Sequence, residues 1–249
     1  MAIMKESSGL RAERGAQRPT VSIIVPVLNE AKIIQQTISS LCAVAGCYEI
    51  IIVDGGSKDG TLQLVSDSIA NLPAFSLISA PPGRGTQLNA GAALARGNAL
   101  LFLHADTTLP ESAVEAIQHA LGEPGVVGGN FRLQFEGPGP ASAIFTQLNS
   151  IRRWFGVYYG DSAIWCRLQV FKHLGGYTNA HLMEDYDFCR RLERAGPTVC
   201  LTESVVTSAR RWRDRGLIRT LIFWVLIQWL YLLGLNPVCL ARLYYPKRS

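Results

Sequence analysis

Carboxylates and one guanidinium stand where apolar runs stop, a placement suited to holding a nucleotide's ribose and phosphates and a metal ion. Asp54 closes the run EIIIV and is followed by Gly55 and Gly56. Asp106 follows LLFLH, Arg84 sits between Gly83 and Gly85, and Glu184 and Asp185 open the stretch EDYDFCRRLERA. The two glycines let the backbone turn tightly and a ligand approach, so the Asp54 carboxylate suits hydrogen bonds from a nucleobase or ribose. An isolated Asp-Gly is more often an ordinary turn. Asp59, just ahead of a helical pattern, reads as a helix N-cap. At Asp106 an exposed carboxylate suits Mg²⁺ or Mn²⁺ against a diphosphate, where the ion would neutralise a leaving group. Capping ahead of Pro110 is the alternative. A lone His104 at a strand end is more often a hydrogen-bonding or core residue than a ligand. Arg84 can bind an oxyanion bidentately, with glycines leaving it room. Of the adjacent acids Glu184 and Asp185, one can serve as general base toward an acceptor hydroxyl, and both also complement a helix dipole.

These residues need a frame that brings distant strand ends together. Val21 to Pro26 (VSIIVP) and Glu49 to Val53 are short continuous apolar runs of the kind buried on both faces of a parallel sheet. Between them, Ala31 to Val44 places Ile33, Ile34, Thr37, Ile38 and Leu41 at helical spacing, which completes a βαβ unit. The rhythm continues with a helix over 61–70, a strand over 75–79, an Ala-rich helix over 86–96 and a strand over 99–103. Four strands joined by right-handed crossovers give an α/β, Rossmann-like half. Ligands in such sheets bind beyond the carboxyl ends of the strands, so Pro26 to Glu30 (PVLNE), Asp54 to Thr61 (DGGSKDGT), the Pro81 to Gly85 loop and His104 to Asp106 are the expected site. After Asp106 the pattern predicts a helix over 110–121, an alternating strand over 126–135, a break at GPGP, and a helix over 184–195 with acids at its start. This second half is expected to cover the mouth of the first.

With 249 residues, 48% of them hydrophobic, the chain can bury the core of one catalytic domain. The formal charge of +5 is concentrated in two places: a front segment with Lys5, Arg11, Arg14 and Arg18, and five arginines from Arg210 to Arg219. Residues 1–19 therefore read as a disordered basic tail, 20–215 as the catalytic domain, and the arginine cluster as an anion or membrane contact. The six cysteines lack Cys-x-x-Cys or Cys/His zinc spacing and read as free, mostly buried thiols. No apolar stretch of signal-peptide type follows the basic start, which implies a domain kept in the reducing cytoplasm. Nucleic-acid binding is not supported, because the basic cluster adjoins apolar sequence rather than a recognised motif.

Taken together, PVLNE, VDGGSKDGT, the Gly-Arg-Gly loop, the Asp-x-Asp-like strand end and MEDYDFCRRL resemble, in their order, the family-2 glycosyltransferases of GT-A fold. The resemblance runs over roughly residues 20 to 215, and GRGTQLNAGAALARGNALLFLHADT is similar to a subgroup associated with radical-SAM and selenoprotein-type domains. It implies a nucleotide-sugar donor, a nucleotide pocket lined by Pro26, Glu30, Asp54 and Arg84, a divalent cation on Asp106, and Asp185 as base with Glu184 beside it. It also implies inversion at the anomeric carbon. Arg211-Trp212 resembles the end of a Gln-x-x-Arg-Trp motif that holds the diphosphate in processive members; Ser208 stands at the Gln position, which implies a non-processive enzyme. His104 replaces the first acid of Asp-x-Asp, a ribose contact that imidazole can still make with one hydrogen bond.

Residues 216–249 read as an apolar helical extension. Within it Thr220 to Leu235 is sixteen nearly uncharged residues, short of the roughly twenty needed to span a bilayer. An all-round apolar helix must be covered, so this one lies in a membrane (interfacial or re-entrant, with a spanning helix as the variant), in a homodimer, or on its own domain. The expected reaction is metal-dependent sugar transfer to a hydroxyl, a lipid-linked one among the candidates, by an enzyme peripheral to the inner face of the cell membrane. Two rivals remain: nucleotidyl transfer onto a sugar phosphate, which usually brings a glycine-rich loop after the first strand, and a silent nucleotide-sugar-binding scaffold.

Overall fold

A computed structural model of the chain describes residues 19–137, 146–147, 153, 158–178, 182–208, 217–235 and 237–244. The first half follows the βαβ rhythm. Strands β1 (Val21–Val27), β2 (Tyr48–Asp54), β3 (Phe75–Ser79) and β4 (Ala99–Phe102) alternate with helices α1 (Ile34–Cys42), α2 (Thr61–Ile69) and α3 (Arg84–Leu94). β1 pairs in parallel with both β2 and β4, and β2 with β3. Alternation along each strand then feeds two apolar layers. Ile23, Val25, Ile50, Ile52 and Leu101 pack with α1, α2 and α4 (Ala113–Gly122). Ile24, Ile51, Val53, Leu100 and Phe102 pack with α3, α5 (Leu168–His173) and α6 (Glu184–Ala195). Burial on both faces is why these strands read as unbroken apolar runs.

The order β3-β2-β1-β4 reverses direction between β1 and β4, so a crevice opens there at the carboxyl ends. The second half departs from expectation. Rather than only covering that mouth, it lengthens the sheet with β5 (Thr107–Thr108), β6 (Gly128–Phe135), β7 (Ile164–Arg167) and β8 (Thr198–Thr207), in the order β4-β7-β6-β8-β5. β7 is antiparallel to β4 and β6, and β5 to β8, while β6 and β8 run in parallel, so the sheet is mostly parallel. Among the described residues, the start of α6 and the turn at Gly160–Ser162 return to the mouth.

Three local expectations need correction. Residues 30–33 form a turn before α1 rather than its first turn. Gly60, at φ +90°, occupies the N-cap position of α2, with Asp59 one residue earlier accepting from the Thr61 amide at 3.1 Å. Of the six free cysteines Cys166 and Cys189 are buried, Cys47 is half-buried in the bend before β2, and Cys42, Cys200 and Cys239 are exposed. The expected tail, residues 1–18 of it, lies outside the described residues.

Candidate active site

The loops after β1 and β2 are bound to each other by their polar side chains. Asn29, in the left-handed region at φ +55°, accepts from the Lys58 amide at 2.8 Å and donates its own amide to Ser57 Oγ at 2.9 Å. The Glu30 amide donates to Thr61 Oγ1 at 2.8 Å, and the Ala31 amide to Asp59 at 3.1 Å. Hydrogen bonding to Thr61, then to Ala31, holds the Asp59 carboxyl below its ordinary pKa. PVLNE and DGGSKDGT are thus one structural unit. Asp54 is 2% exposed and accepts from the amides of Gly56 at 2.9 Å and Ser57 at 3.1 Å. The turn role is realised, and a carboxylate with about four lone-pair directions still has capacity for another donor.

Beneath this unit lies a residue that sequence reasoning missed. Gln87, 3% exposed on α3, donates both hydrogens of its amide to the carbonyls of Val27 at 2.9 Å and Val53 at 2.8 Å. It thereby ties together the ends of β1 and β2. Gly55 has to be glycine beside it, since a Cβ there would sit 2.9 Å from the Gln87 amide. Gly91 one turn on lets α3 lie against the sheet, for a Cβ would come within 2.5 Å of Ile24.

Arg84, the first residue of α3, faces Glu184, the first residue of α6, with Nη1 and Oε1 3.6 Å apart. Two contacts set that approach. A Cβ on Gly85 would lie 2.6 Å from the Thr178 carbonyl, and Asn89 clasps the backbone of Tyr177, donating to its carbonyl and accepting from its amide, both at 2.8 Å. Tyr177 in turn stacks on Phe188 at 4.5 Å and meets Phe102 edge-on at 5.0 Å, which anchors α6 to the end of β4. Glu184 is 5% exposed. Burial and then the neighbouring Asp185 charge push its pKa up to about 7, against the pull of Arg84.

Asp185 and His104 converge on a glycine. Asp185 Oδ2 accepts from the Gly160 amide at 2.9 Å and Oδ1 from the Tyr186 amide at 2.7 Å. A Cβ on Gly160 would stand 2.7 Å from His104 Nε2 and 3.3 Å from Asp185 Oδ2, so only glycine lets both side chains reach this point. In the sequence Gly160 is one residue in YGDS, with no motif to mark it. The structure therefore brings Arg84, Glu184, Asp185 and His104 together at the carboxyl ends of the strands.

Asp106 is half-buried two residues beyond His104. Its carbonyl accepts from the Ser208 amide at 3.1 Å where β5 meets β8. It lines a cleft of about 240 Å³ together with Glu136, Thr108 and Ser208. Among the described residues no group of three or more His, Cys, Asp or Glu could hold a metal ion. Hard oxygen donors still suit Mg²⁺ or Mn²⁺, with the remaining positions left to phosphate oxygens and water. Arg211 and Trp212 lie outside the described residues.

Residues 22–170 match the family model "Glycosyl transferase family 2". Among curated proteins, a PGL/p-HBAD biosynthesis glycosyltransferase of Mycobacterium bovis is 37% identical over 97 residues, covering 38% of this chain and 38% of that protein. An undecaprenyl-phosphate 4-deoxy-4-formamido-L-arabinose transferase of Pseudomonas fluorescens is 33% identical over 112 residues, covering 41% of this chain and 33% of that one. The chain thus spans well under half the length of these relatives. Among solved structures, a mannosyltransferase from Pyrobaculum calidifontis in complex with GDP-Man and Mn²⁺ superposes with a TM-score of 0.61 at 18% identity, over 80% of this chain and 63% of that one, a likeness of fold.

Proposed function

Because this chain belongs to glycosyl transferase family 2, we propose that it moves a sugar from a nucleotide-sugar donor to an acceptor hydroxyl, with Asp185 as the base. The observation that carries this reading is the convergence of Arg84, Glu184, Asp185 and His104 on the strand-end crevice. In an open α/β sheet that crevice is where a nucleotide is held. Pro26, Glu30 and Asp54 line its β1–β2 side and receive the base and ribose. Arg84, 34% exposed at its side chain, is placed for the diphosphate.

Asp185 rather than Glu184 takes the acceptor proton. Two backbone amides fix the Asp185 carboxylate in place, whereas Glu184 is 5% exposed and faces Arg84. One fixed carboxylate facing the donor supports direct displacement with inversion. A Mg²⁺ or Mn²⁺ held at Asp106 supplies charge against the departing diphosphate. His104 meets the ribose. Ser208, whose amide binds the Asp106 carbonyl, stands where processive members carry Gln, which supports a single transfer per acceptor. The name of the Pseudomonas relative supports a lipid-linked acceptor.

Asp185→Asn tests the assignment. With the fold retained, sugar transfer should fall by about 10²–10⁴-fold while donor binding is preserved, as expected when a general base is lost. Transfer within about twofold of wild type removes Asp185 from that role.

A further inference from the structure

Helices α7 (Leu217–Leu232) and α8 (Pro237–Tyr244) follow the domain and pack on it through one set of their described side chains. Ile227 at 3% exposure and Leu240 at 0% pack with Met183 and Tyr186, and Phe223, Leu230 and Tyr231 join them. The Tyr231 ring meets Tyr186 edge-on at 5.8 Å, and Tyr186 stacks on Tyr159 at 6.0 Å. The helix pair therefore rests against the start of α6. At roughly 100° per residue, Phe223, Ile227, Leu230 and Tyr231 occupy one ~100° arc of α7, whereas Val225, Leu226, Trp229 and Leu233 occupy the opposite ~100° arc.

That opposite arc is apolar and bare. Trp229 is 61% exposed, Leu226 49% and Leu233 73%, and on α8 Leu243 is 53% exposed. A helix turned to water on one face normally carries polar residues there. α7 is also about 24 Å long at its sixteen residues, short of a ~30 Å hydrocarbon core, and no described helix is long and apolar enough to cross a membrane. Charge selects what covers the face. Residues 215–249 hold Arg215, Arg219, Arg242, Lys247 and Arg248 and no Asp or Glu. A second copy carries the same positive segment, whereas anionic lipid headgroups complement that charge and accept a tryptophan at their boundary.

We propose that the Val225–Leu226–Trp229–Leu233 face of α7, extended by Leu243 of α8, docks the protein on the surface of an anionic lipid bilayer. Because the buried side of the same helices packs on Met183 and Tyr186, docking holds the start of α6 close to the lipid surface. That consequence for an acceptor rests on the proposed role of Asp185; the docking itself does not. The test is co-sedimentation of the full chain with vesicles of phosphatidylcholine alone or mixed with phosphatidylglycerol, with sedimentation velocity alongside. The wild type should bind the mixed vesicles at least ~tenfold more tightly than the neutral ones, and less tightly in high salt. Trp229→Glu combined with Leu233→Glu, and separately Leu243→Glu, should weaken binding by about tenfold or more without changing Tm. Variants that bind as the wild type does, or a wild type that stays in solution, overturn the proposal. A wild-type dimer that these variants dissociate overturns it in favour of a second copy. Binding uses no donor turnover, so an inactive protein that still docks counts against the catalytic reading alone.

Discussion

Glu184 and Gly160 carry the sharpest consequences at the scale of single residues. The pKa of Glu184 is raised from 4.5 to about 7, first by burial and then by Asp185, so the folded protein holds a proton that the unfolded chain releases. Stability from this group is full below about 4.5 and is lost as pH rises through about 7. Glu184→Gln should therefore melt above the wild type near pH 8, with the difference shrinking toward pH 5, in thermal denaturation run across that range. A constant difference would mean that the proton is not retained. Gly160→Ala should reduce transfer by about tenfold or more, because its methyl group displaces His104 or Asp185. Adding His104→Ala should return the Tm to that of His104→Ala alone, a non-additivity expected of groups in contact. Asp54, Asp106 and the Glu184–Asp185 pair stood out in the sequence because each follows an apolar run or opens a helix, and Arg84 because glycines flank it, although the helix expected over 86–96 begins at Arg84. Gly160 did not, since its role depends on side chains 56 residues before it and 25 after it meeting at one point.

At the scale of elements, the parallel half was readable and the added half only in part: α4 and β6 lie close to the expected 110–121 and 126–135, whereas β5, β7 and β8 were not read, for one physical reason. β1, β2 and β4 are covered on both faces, so their runs are continuously apolar, while β8 alternates exposed and covered residues through TVCLTESVVT. β7 is only four residues, IWCR, and β5 only two, too short for a periodic pattern. The helix over 184–195 was legible from its acid-to-arginine gradient. Gln87 was hidden because an amide inside an Ala-rich helix gives no sign that it will bridge Val27 and Val53, 60 and 34 residues away. Its removal tests how the β1–β2 unit is held. Gln87→Leu leaves two buried carbonyls without their donor and should cost about 2–4 kcal/mol in urea denaturation, well above the loss of an exposed hydrogen bond. A change below about 0.5 kcal/mol would mean that the strand ends hold without it.

For the molecule as a whole, the sheet, the strand-end crevice and the outer helix pair form a graded series. The sheet core is rigidly specified by two apolar layers, the crevice is assembled from loops that those layers hold, and α7 and α8 are attached through the aromatic contacts at Tyr186. The sequence left three coverings open for the apolar extension. Packing on its own domain is realised on one arc of α7, and the other arc is what remains to be covered. The proposed function requires a nucleotide-sugar donor bound at the crevice together with a divalent ion at Asp106. The most direct measurement is a thermal-shift panel of nucleoside diphosphates and nucleotide sugars, with and without Mn²⁺, on the wild type and on Asp106→Ala. A ligand that binds only the folded state at 100 times its Kd stabilises it by about 2.7 kcal/mol, which such a panel detects readily. At least one nucleotide should raise the wild-type Tm more with Mn²⁺ than without, and the ion-dependent part should vanish in Asp106→Ala. No stabilisation across the panel, or an undiminished Mn²⁺-dependent shift in Asp106→Ala, would contradict the account.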